Sequence, residues 1–243
     1  MKSPKQGDLY QLGTHLLYCG DSEDARSIKP LFLRANPNLC CTDPPYGVNY
    51  DADWRKKVSG SNQHHASGKV MNDSKADWQK AYRLFPGNIV YTWCASWFLS
   101  TTQHALEICG FEIKALIIWA KNQGFLDRAH YHFLHDPCWY AVRKGEQAHW
   151  RGGHSQTTLW KIKKEANFTN HSTQKPLECM ARPIRNHTLP GEWVYDPFVG
   201  SGTTLIAAEL LKRKCLAVEL NPEYVAMTIL RWEILTGLKA HKK

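Results

Sequence analysis

The chain has 243 residues, and its 31 lysines and arginines against 22 aspartates and glutamates give a formal net charge of +9. Hydrophobic residues at 43% and charged residues at 22% are typical of a globular protein and exclude a disordered, collagenous or coiled-coil chain. No apolar run approaches the roughly 20 residues that a membrane span requires, and residues 1–8 lack the apolar segment of a secretory signal. We therefore expect a single cytoplasmic domain over residues 1–243, with no membrane partner.

The cysteines predict free thiols. Eight cysteines are too sparse for a disulfide scaffold in a chain of this length. No Cys-x-x-Cys pair is present, so a structural zinc site is not indicated either. We expect reduced, buried thiols and no metal. The excess of basic residues instead favours a polyanionic partner such as nucleic acid.

Short apolar runs alternate with helical periodicity along the chain. Before residue 150 the pattern predicts strands at 16–19, 39–42, 88–93, 111–119 and 138–143, a helix or turn over 22–33, and a helix over 101–109. In the last third it predicts helices over 176–187 and 203–212, strands at 193–195 and 215–220, and a final helix that begins at Pro222. This alternation predicts an α/β fold with a doubly wound, mostly parallel sheet, whose ligands bind beyond the carboxyl ends of the strands.

Two segments interrupt the alternation. Residues 50–80 are polar and have no sustained period, and residues 121–170 are rich in Trp, His, Lys and Arg. Long irregular stretches in a compact domain are usually functional loops or disordered. We expect 50–80 to be a mobile loop over the active site and 121–170 to be an insertion that contacts nucleic acid.

A glycine-containing loop, Asp-Pro-Phe-Val-Gly-Ser-Gly-Thr-Thr at 196–204, joins a predicted strand to a predicted helix. Gly200 and Gly202 let the backbone approach a ligand closely, and the helix that follows presents free N–H groups. The third glycine of the dinucleotide fingerprint and the Gly-Lys-Ser/Thr of a Walker loop are both absent. On the two glycines alone, an ordinary strand–turn–helix connection stays open beside a nucleotide-binding loop.

Glu219 lies at the carboxyl end of the next predicted strand, about 20 residues after that loop, where an acid typically hydrogen-bonds a ribose hydroxyl. A solvated charge at a strand end is the alternative. The combination of Glu219 with Asp196 indicates a nucleotide-type ligand more strongly than either residue does alone.

The segment Asp43-Pro44-Pro45-Tyr46 follows the predicted strand at 39–42. Its two prolines fix φ and hold Asp43 extended, which makes a stiff arm with one carboxylate and one aromatic face. Such an arm suits a planar substrate that stacks on Tyr46 while its amine donates to Asp43 and to the Pro44 carbonyl. The alternative is a turn with Tyr46 in the core. By average composition the tetrapeptide arises by chance in such a chain with a probability on the order of 10⁻³, which favours the binding arm.

Together these motifs resemble the S-adenosylmethionine-dependent DNA amino-methyltransferases of the permuted (beta) class. Residues 41–47 are similar to the D-P-P-Y catalytic motif of that class, and 196–204 to its cofactor loop. Residues 17–22 resemble the segment before the catalytic strand, and 171–176 the segment that closes over the methionine part of the cofactor. The resemblance covers most of the chain and implies a circularly permuted, Rossmann-like class I methyltransferase fold.

The resemblance also implies roles for individual residues. Segment 43–46 would hold the target base, Glu219 the ribose of the cofactor, and Asp21 would lie near its adenine. Thr173 and Lys175 would reach the carboxylate end of the cofactor. A turn residue and a helix-start charge stay open as alternatives for Asp21 and Lys175. The other residues implied to line the cofactor are Asp43, Asp196, Phe198, Gly200, Ser201, Gly202 and Thr203.

Double-stranded DNA is the expected substrate, with adenine flipped out of the helix and methylated on its exocyclic amine. Phosphate contacts are expected mainly from basic residues of the two irregular segments. The chain is short for the class, so a homodimer is expected to help grip the duplex, and a cognate restriction nuclease is left open as a further partner. The candidate DNA contacts are Arg55, Lys56, Lys57, Arg128, Arg143, Lys144, Arg151, Lys161, Lys163 and Lys164.

Several alternatives stay open beside the adenine enzyme. Asp at the first catalytic position resembles adenine-specific members, while cytosine 4-amino enzymes more often carry Ser there. Methylation of RNA or of a protein glutamine is a further alternative, although the order of the motifs argues against the glutamine enzymes. The missing third glycine disfavours a nicotinamide oxidoreductase, and an apparently intact catalytic set disfavours a pure DNA-binding module.

Overall fold

The computed structural model of the chain describes residues 3–49, 71–122, 130–163 and 174–243. Within these ranges the strands are β1 (Leu9–Leu12), β2 (His15–Cys19), β3 (Leu39–Thr42), β4 (Ile89–Trp93), β5 (Phe111–Ala120), β6 (His135–Arg143), β7 (Leu159–Lys161), β8 (Trp193–Asp196), β9 (Lys214–Glu219) and β10 (His241–Lys242). The helices are α1 (Ala25–Phe32), α2 (Gln79–Leu84), α3 (Leu99–Ile108), α4 (Leu177–His187), α5 (Thr203–Leu210) and α6 (Pro222–Thr236).

The strands of these described ranges form one sheet in the order β10-β1-β2-β9-β8-β3-β4-β6-β5-β7. The five central strands from β2 to β4 run parallel to one another. β6 is antiparallel to both β4 and β5, so β5 runs in the same direction as β4, and β7 is parallel to β5. The predicted α/β fold with a mostly parallel sheet is confirmed.

Helices cover both faces of the sheet. On one face α1, α2 and α3 contribute Ile28, Tyr82 and Leu106 to a buried core. On the other face α4, α5 and α6 pack against the sheet in a second core that contains Met180 and Trp232. Every residue of β3 and of β4 is buried, as is usual for strands covered on both sides. The loops that follow these two strands therefore begin from rigid supports.

Local capping chemistry sets the ends of the helices. α1 begins at Ala25, later than the predicted segment, because the Asp24 carboxylate accepts a hydrogen bond of 3.1 Å from the Arg26 N–H. α6 begins at Pro222, as predicted, and ends at Thr236, with Gly237 as its C-cap at a φ of 72°. The sequence did not predict four elements of six residues or fewer, namely β1, α2, β7 and β10. Such short elements depend on tertiary pairing more than on local pattern.

The longest helix of the described ranges, α6, has 15 residues, and none of the helices there is long and apolar enough to cross a membrane. All eight cysteines lie in the described ranges as free thiols. Cys109 is partly exposed and the other seven are buried, so the predicted burial holds for all but one.

Candidate active site

Four loops at the carboxyl ends of parallel strands meet in one cleft. They follow β2, β3, β8 and β9, whose carboxyl ends share one edge of the sheet, here called the carboxyl edge. Open α/β sheets bind their ligands at this edge. The residues that line the cleft include Asp21, Asp43, Tyr46, Phe198, Gly200 and Glu219.

The loop after β3 is braced from outside by two side chains. The indole Nε1 of Trp78 donates a hydrogen bond of 2.9 Å to the Pro45 carbonyl. The Asp73 carboxylate accepts from the backbone N–H groups of Tyr46 and Gly47, at 3.1 Å and 3.0 Å. Gly47 has a φ of 77°, and a Cβ there would lie 2.9 Å from the Ala76 backbone nitrogen, so the turn requires glycine. Segment 43–46 is thus held rigidly at the mouth of the cleft.

A set of charged and phenolic groups, here called the charge cluster, comprises Asp43, Tyr46, Lys121, Asp136 and Lys175. The Lys175 ammonium lies 3.1 Å from Asp43 Oδ1 and 3.2 Å from Asp136 Oδ2, and donates to the Tyr46 hydroxyl at 2.6 Å. The Tyr46 hydroxyl donates to Asp43 Oδ1 at 2.8 Å. Lys121 lies 2.6 Å from Asp136 Oδ1. Two ammonium and two carboxylate groups thus compensate one another at segment 43–46.

The protonation states of the charge cluster follow from burial and pairing. Burial disfavours the charged form of Lys175, but the attraction of Asp43 and Asp136 outweighs it and raises the pKa of the ammonium. Burial opposes ionisation of Asp136, yet Lys175 and Lys121 together lower the pKa of its carboxyl. Burial, followed by the charges of Asp43 and Asp136, raises the pKa of Tyr46 well above its usual range. Lys175 therefore carries a fixed positive charge and Tyr46 keeps its proton.

Asp196 is buried at the carboxyl end of β8 and connects the glycine loop to segment 43–46. Its Oδ1 accepts from the Thr42 hydroxyl at 2.6 Å and from the Phe198 N–H at 3.0 Å. Burial raises the pKa of Asp196 to about 6, although hydrogen bonds from Thr204 and Thr42 favour the charged form. Thr42 immediately precedes Asp43, so the hydrogen bond from Thr42 to Asp196 joins the loop after β3 to the glycine loop.

The turn at Gly202 requires a residue without a side chain. Gly202 has a φ of 90° and forms the N-cap of α5. A Cβ at this position would lie 2.8 Å from the Cγ2 atom of Thr228 in α6. The same Thr228 donates its hydroxyl proton to the Gly200 carbonyl at 2.9 Å. α6 therefore holds one side of the glycine loop in place, and the other side of the loop faces the cleft.

Glu219 is buried at the carboxyl end of β9, with both carboxylate oxygens engaged by backbone groups. Oε2 accepts from the Gly200 N–H at 2.8 Å and Oε1 from the Asn221 N–H at 2.7 Å. Burial raises the pKa of Glu219 to about 7, while those two N–H groups favour the carboxylate. Each oxygen has a further lone pair with which it can accept from a ligand hydroxyl.

Comparison with known proteins identifies the family. The family model N6_N4_Mtase, described as DNA methylase, matches residues 38–230. The chain belongs to the N6/N4 DNA methylase family. Type II methyltransferase M2.DpnII of Streptococcus pneumoniae is 25% identical over 232 residues, which cover 81% of this chain and 82% of that protein. DNA adenine methyltransferase YhdJ of Escherichia coli (strain K12) is 26% identical over 165 residues, which cover 54% and 56% of the two chains.

Among solved structures, the M1.HpyAVI–SAM complex resembles this DNA methylase with a TM-score of 0.64 and 27% sequence identity, and the match covers 88% of this chain and 98% of that one. The Rossmann-like fold of class I methyltransferases is therefore confirmed, and so is the assignment of the chain as a DNA methyltransferase.

Most of the residues expected to bind the cofactor of this DNA methylase do lie around the one cleft. Asp21 is exposed at its rim, where the Oδ1 atom accepts from the Glu23 N–H at 2.9 Å. Ser201 and Thr203 line the cleft beside Gly200. Lys175 lines it as well, but its ammonium contacts the side chains of the charge cluster. Thr173 lies outside the described residues.

The predicted DNA contacts of the methylase separate into three groups. Lys161 ends β7 at the carboxyl edge, beside Ala120 of β5, and both Lys161 and Lys163 are exposed there. Arg143 and Lys144 instead lie at the opposite edge, next to the start of β5. The Arg151 N–H donates to the Asn186 carbonyl, near the end of α4 that is remote from Lys175. The predicted contacts that lie outside the described residues are Arg55, Lys56, Lys57, Arg128 and Lys164.

Arg143 requires a correction, because the structure gives its guanidinium a role within the fold. The group donates to the carbonyls of Phe85, Gly87 and Cys109, at 2.9 to 3.2 Å, and its carbon lies 4.4 Å from the centre of the Phe111 ring. These contacts tie together loops at the edge of the sheet opposite the cleft. Charge alone led to its interpretation as a phosphate contact.

Four residues of the site were not predicted from the sequence: Asp73, Trp78, Lys121 and Asp136. Trp78 also packs its ring against Phe198, with centroids 4.6 Å apart, so it contacts both the loop after β3 and the glycine loop. Asp73 and Trp78 fall in the segment predicted to be a mobile loop, and Asp136 in the segment predicted to bind DNA. For Asp136, one signal was present: it is an acid at the start of a strand in a segment otherwise rich in basic residues.

Proposed function

We propose that the protein transfers the methyl group of S-adenosylmethionine to the exocyclic amine of adenine in double-stranded DNA. The observation that carries the proposal is a cleft lined by segment 43–46, by residues of the glycine loop and by Glu219. Membership of the N6/N4 DNA methylase family supports it, as do YhdJ, which is a DNA adenine methyltransferase, and M1.HpyAVI, whose structure contains SAM. Because segment 43–46 precedes loop 196–204 in the chain, the proposal includes the permuted class.

The described residues fit the cofactor. Glu219 combines a buried carboxylate with remaining acceptor capacity and would accept the ribose hydroxyls. In the turn at Gly200 and Gly202, both of which have a positive φ, the residues that line the cleft are Gly200, Ser201 and Thr203, and Thr203 is the first residue of α5. The Phe198 ring and Asp21 would flank the adenine. When bound, S-adenosylmethionine supplies a methyl group that its sulfonium already activates.

Lys175 is assigned to the target-base side of the cleft in this proposal. The resemblance placed it at the carboxylate end of the cofactor, but the contacts of its ammonium are to Asp43, Tyr46 and Asp136. A buried ammonium with three such partners is already satisfied. The remaining candidate for the carboxylate end is Thr173, together with the loop amides.

Asp43 and Pro44 would prepare the amine of the target base for transfer. That amine is a poor nucleophile because its lone pair is delocalised into the ring. Hydrogen bonds from its N–H groups to the Asp43 carboxylate and the Pro44 carbonyl favour a more tetrahedral nitrogen, whose lone pair then points at the methyl group. The Tyr46 ring would stack on the base after it has flipped out of the duplex. Orientation and electrostatics thus supply most of the catalysis.

The DNA itself would lie across the carboxyl edge. Lys161 and Lys163 are proposed to contact its phosphates, and the predicted contacts outside the described residues keep the same proposed role. We also propose that a homodimer grips the duplex, for which the exposed Leu230 and Ile234 of α6 offer an apolar face. A companion nuclease is compatible with the proposal but is not needed for the transfer step.

Cytosine is the second candidate target, because the family spans both N6 and N4 methylation. The 4-amine of cytosine presents the same donors to Asp43 and Pro44 as the 6-amine of adenine, so the catalytic contacts alone do not favour either base.

Radiolabelled methyl transfer to unmethylated, mixed-sequence duplex DNA, followed by digestion to nucleosides, tests the proposal. Label in 6-methyladenine is the expected result. Label in 4-methylcytosine would keep the mechanism and overturn the target base. An enzyme that binds S-adenosylmethionine but labels no DNA would contradict the proposed function and direct the search to RNA or protein.

A further inference from the structure

The charge cluster distributes its hydrogen bonds unevenly over the catalytic carboxylate. Lys175 and the Tyr46 hydroxyl both contact Oδ1 of Asp43, at 3.1 Å and 2.8 Å. Among the described residues, no donor is bound to the second oxygen, Oδ2. For an amine in the cleft, Oδ1 of Asp43 is therefore already occupied by two donors, whereas Oδ2 keeps its full capacity to accept hydrogen bonds.

The position of Lys175 depends on Asp136. The Lys175 side chain is only 5% exposed, and its three donors are directed to Asp43, Tyr46 and Asp136. Its ammonium also lies 5.0 Å from the Tyr46 ring centre and 5.5 Å from that of Trp93. Asp136 is the only carboxylate besides Asp43 that pairs with this ammonium among the described residues. Without it, the full attraction of the buried cation would fall on Asp43.

Asp136 is itself anchored by a different element. Its Oδ1 lies 2.6 Å from Lys121, which follows β5, while Asp136 belongs to the neighbouring strand β6. Two charges of each sign thus alternate from Lys121 through Asp136 and Lys175 to Asp43, and their formal sum is zero. Buried charges are tolerated in such an arrangement because each has an opposite partner.

We propose that Asp136 is a positioning residue for methyl transfer, which acts through Lys175 to keep Oδ2 of Asp43 directed at the target amine. The inference rests on the proposed function. Replacement of Asp136 by Asn leaves Lys175 with one anionic partner, and the ammonium then moves toward Asp43 and competes for Oδ2. Asp136 touches neither base nor cofactor in this scheme, so its loss should slow the transfer step and leave binding unchanged.

Single-turnover methyl transfer to unmethylated duplex DNA, with enzyme in excess, measures the effect. For Asp136→Asn we expect the rate at saturating DNA and S-adenosylmethionine to fall by roughly 10- to 100-fold, as for a small misplacement of a reacting group. The KM for DNA and the Kd for S-adenosylmethionine should stay at their wild-type values. Asp136→Glu, which keeps the charge, should restore part of the rate. Glu178→Gln is the matched control, because it removes a carboxylate paired with Arg182 and Arg185 in the neighbouring helix α4.

A double-mutant cycle distinguishes positioning from a general structural role. If Asp136 acts through Lys175, then Asp136→Asn should cause no further loss of rate in a Lys175→Gln background. Losses that multiply in the double variant would overturn the inference, and so would an Asp136→Asn variant as fast as wild type. If Asp136→Asn fails to fold, Lys121→Met gives the second test, since it loosens Asp136 and should slow transfer in the same direction. An unchanged rate in a folded Lys121→Met variant would then contradict the inference.

The wild-type enzyme in the same assay distinguishes failure of the proposed function from failure of this inference. Wild-type enzyme that labels no DNA overturns the proposed function and this inference with it. Wild-type enzyme that labels DNA beside an equally fast Asp136→Asn variant overturns the inference alone.

Discussion

At the scale of single residues, Asp43 is the group on which the proposed transfer depends most directly. Asp43→Ala removes the charged acceptor for the amine, and the transfer rate should fall by about 10²- to 10³-fold or more, as when a preorganised electrostatic contact is lost. Cofactor binding should remain measurable, because Glu219 and the glycine loop are untouched. Equilibrium binding of S-adenosylmethionine and single-turnover transfer on the same preparation check both statements. A variant that transfers at the wild-type rate would contradict the assignment.

Glu219 should make cofactor affinity depend on pH. Burial raises the pKa of its carboxyl to about 7, so the free enzyme takes up a proton there as the pH falls through 7. Protonation removes an acceptor for the ribose hydroxyl, so affinity is full above pH 7 and decreases below it. If only the carboxylate binds, the Kd for S-adenosylmethionine should rise by roughly tenfold between pH 8 and pH 6.

Isothermal titration across that range measures the effect, and Glu219→Gln is the control. The amide cannot titrate, so its weaker affinity should be the same at pH 6 and pH 8. A wild-type Kd that is constant from pH 6 to pH 8 would show that the carboxyl does not change protonation in the binding range.

At the scale of elements, the end of α4 is joined to the sheet by a buried histidine. His187 Nδ1 faces the Ala148 carbonyl at 2.6 Å, so it must carry the proton and donate. Nε2 then accepts from the Tyr91 hydroxyl of β4 at 2.8 Å. Burial lowers the pKa of His187 to about 4. The neutral ring thus connects α4, β4 and the chain before β7 by two directed hydrogen bonds.

This histidine should make the fold less stable in acid. In the unfolded chain His187 titrates near the usual pKa of about 6.5, so between that pH and pH 4 only the unfolded chain binds the proton. The contribution of His187 to the free energy of unfolding is therefore full above pH 6.5 and is lost as the pH falls toward 4. The loss amounts to about 3 kcal/mol over the whole interval. Buried Asp196 and Glu219 have raised pKa values and act in the opposite direction. The comparison with His187→Gln therefore isolates the histidine.

Urea unfolding of wild type and His187→Gln at pH 7, 6 and 5 gives the measurement. The excess in unfolding free energy of wild type over His187→Gln should shrink as the pH falls. A difference in unfolding free energy that is independent of pH would show that the buried ring does not stay neutral.

The same scale shows what local sequence determines. The strands around 39–42 and 193–196 were predictable because continuous apolar runs end directly at Asp43 and beside Asp196. The carboxyl ends of parallel strands lie at the same edge of a sheet, so the loops that follow these two strands were expected to meet. The charge cluster was not predictable, because Asp136 in β6 and Lys175 just before α4 are far apart in the chain and meet only in the folded protein. Arg143 was misinterpreted for a related reason: carbonyls from two separate loops, 85–88 and 109–110, converge on it, and no local pattern reveals them.

At the scale of the whole molecule, the contribution of the net charge of +9 to DNA binding depends on where the basic residues lie. Lys161 and Lys163 lie at the carboxyl edge with the cleft, whereas Arg143 and Lys144 lie at the opposite edge. In the proposed function the flipped base enters the cleft, so of these two pairs Lys161 and Lys163 are the one positioned to contact the duplex. A uniform basic surface would not distinguish these two pairs.

Replacement of Lys161 and Lys163 by Ala should weaken binding to duplexes of any sequence, because phosphate contacts carry no base information. Each lysine that neutralises a phosphate releases counterions, so the slope of log K against log salt should become less steep by about one unit per lysine. Fluorescence anisotropy between low and physiological salt measures this slope. Lys144→Ala is the matched control and should leave affinity and slope unchanged. If Lys144→Ala weakened binding as much as the double variant, the duplex would have to reach the opposite edge, and the placement of DNA proposed above would be wrong.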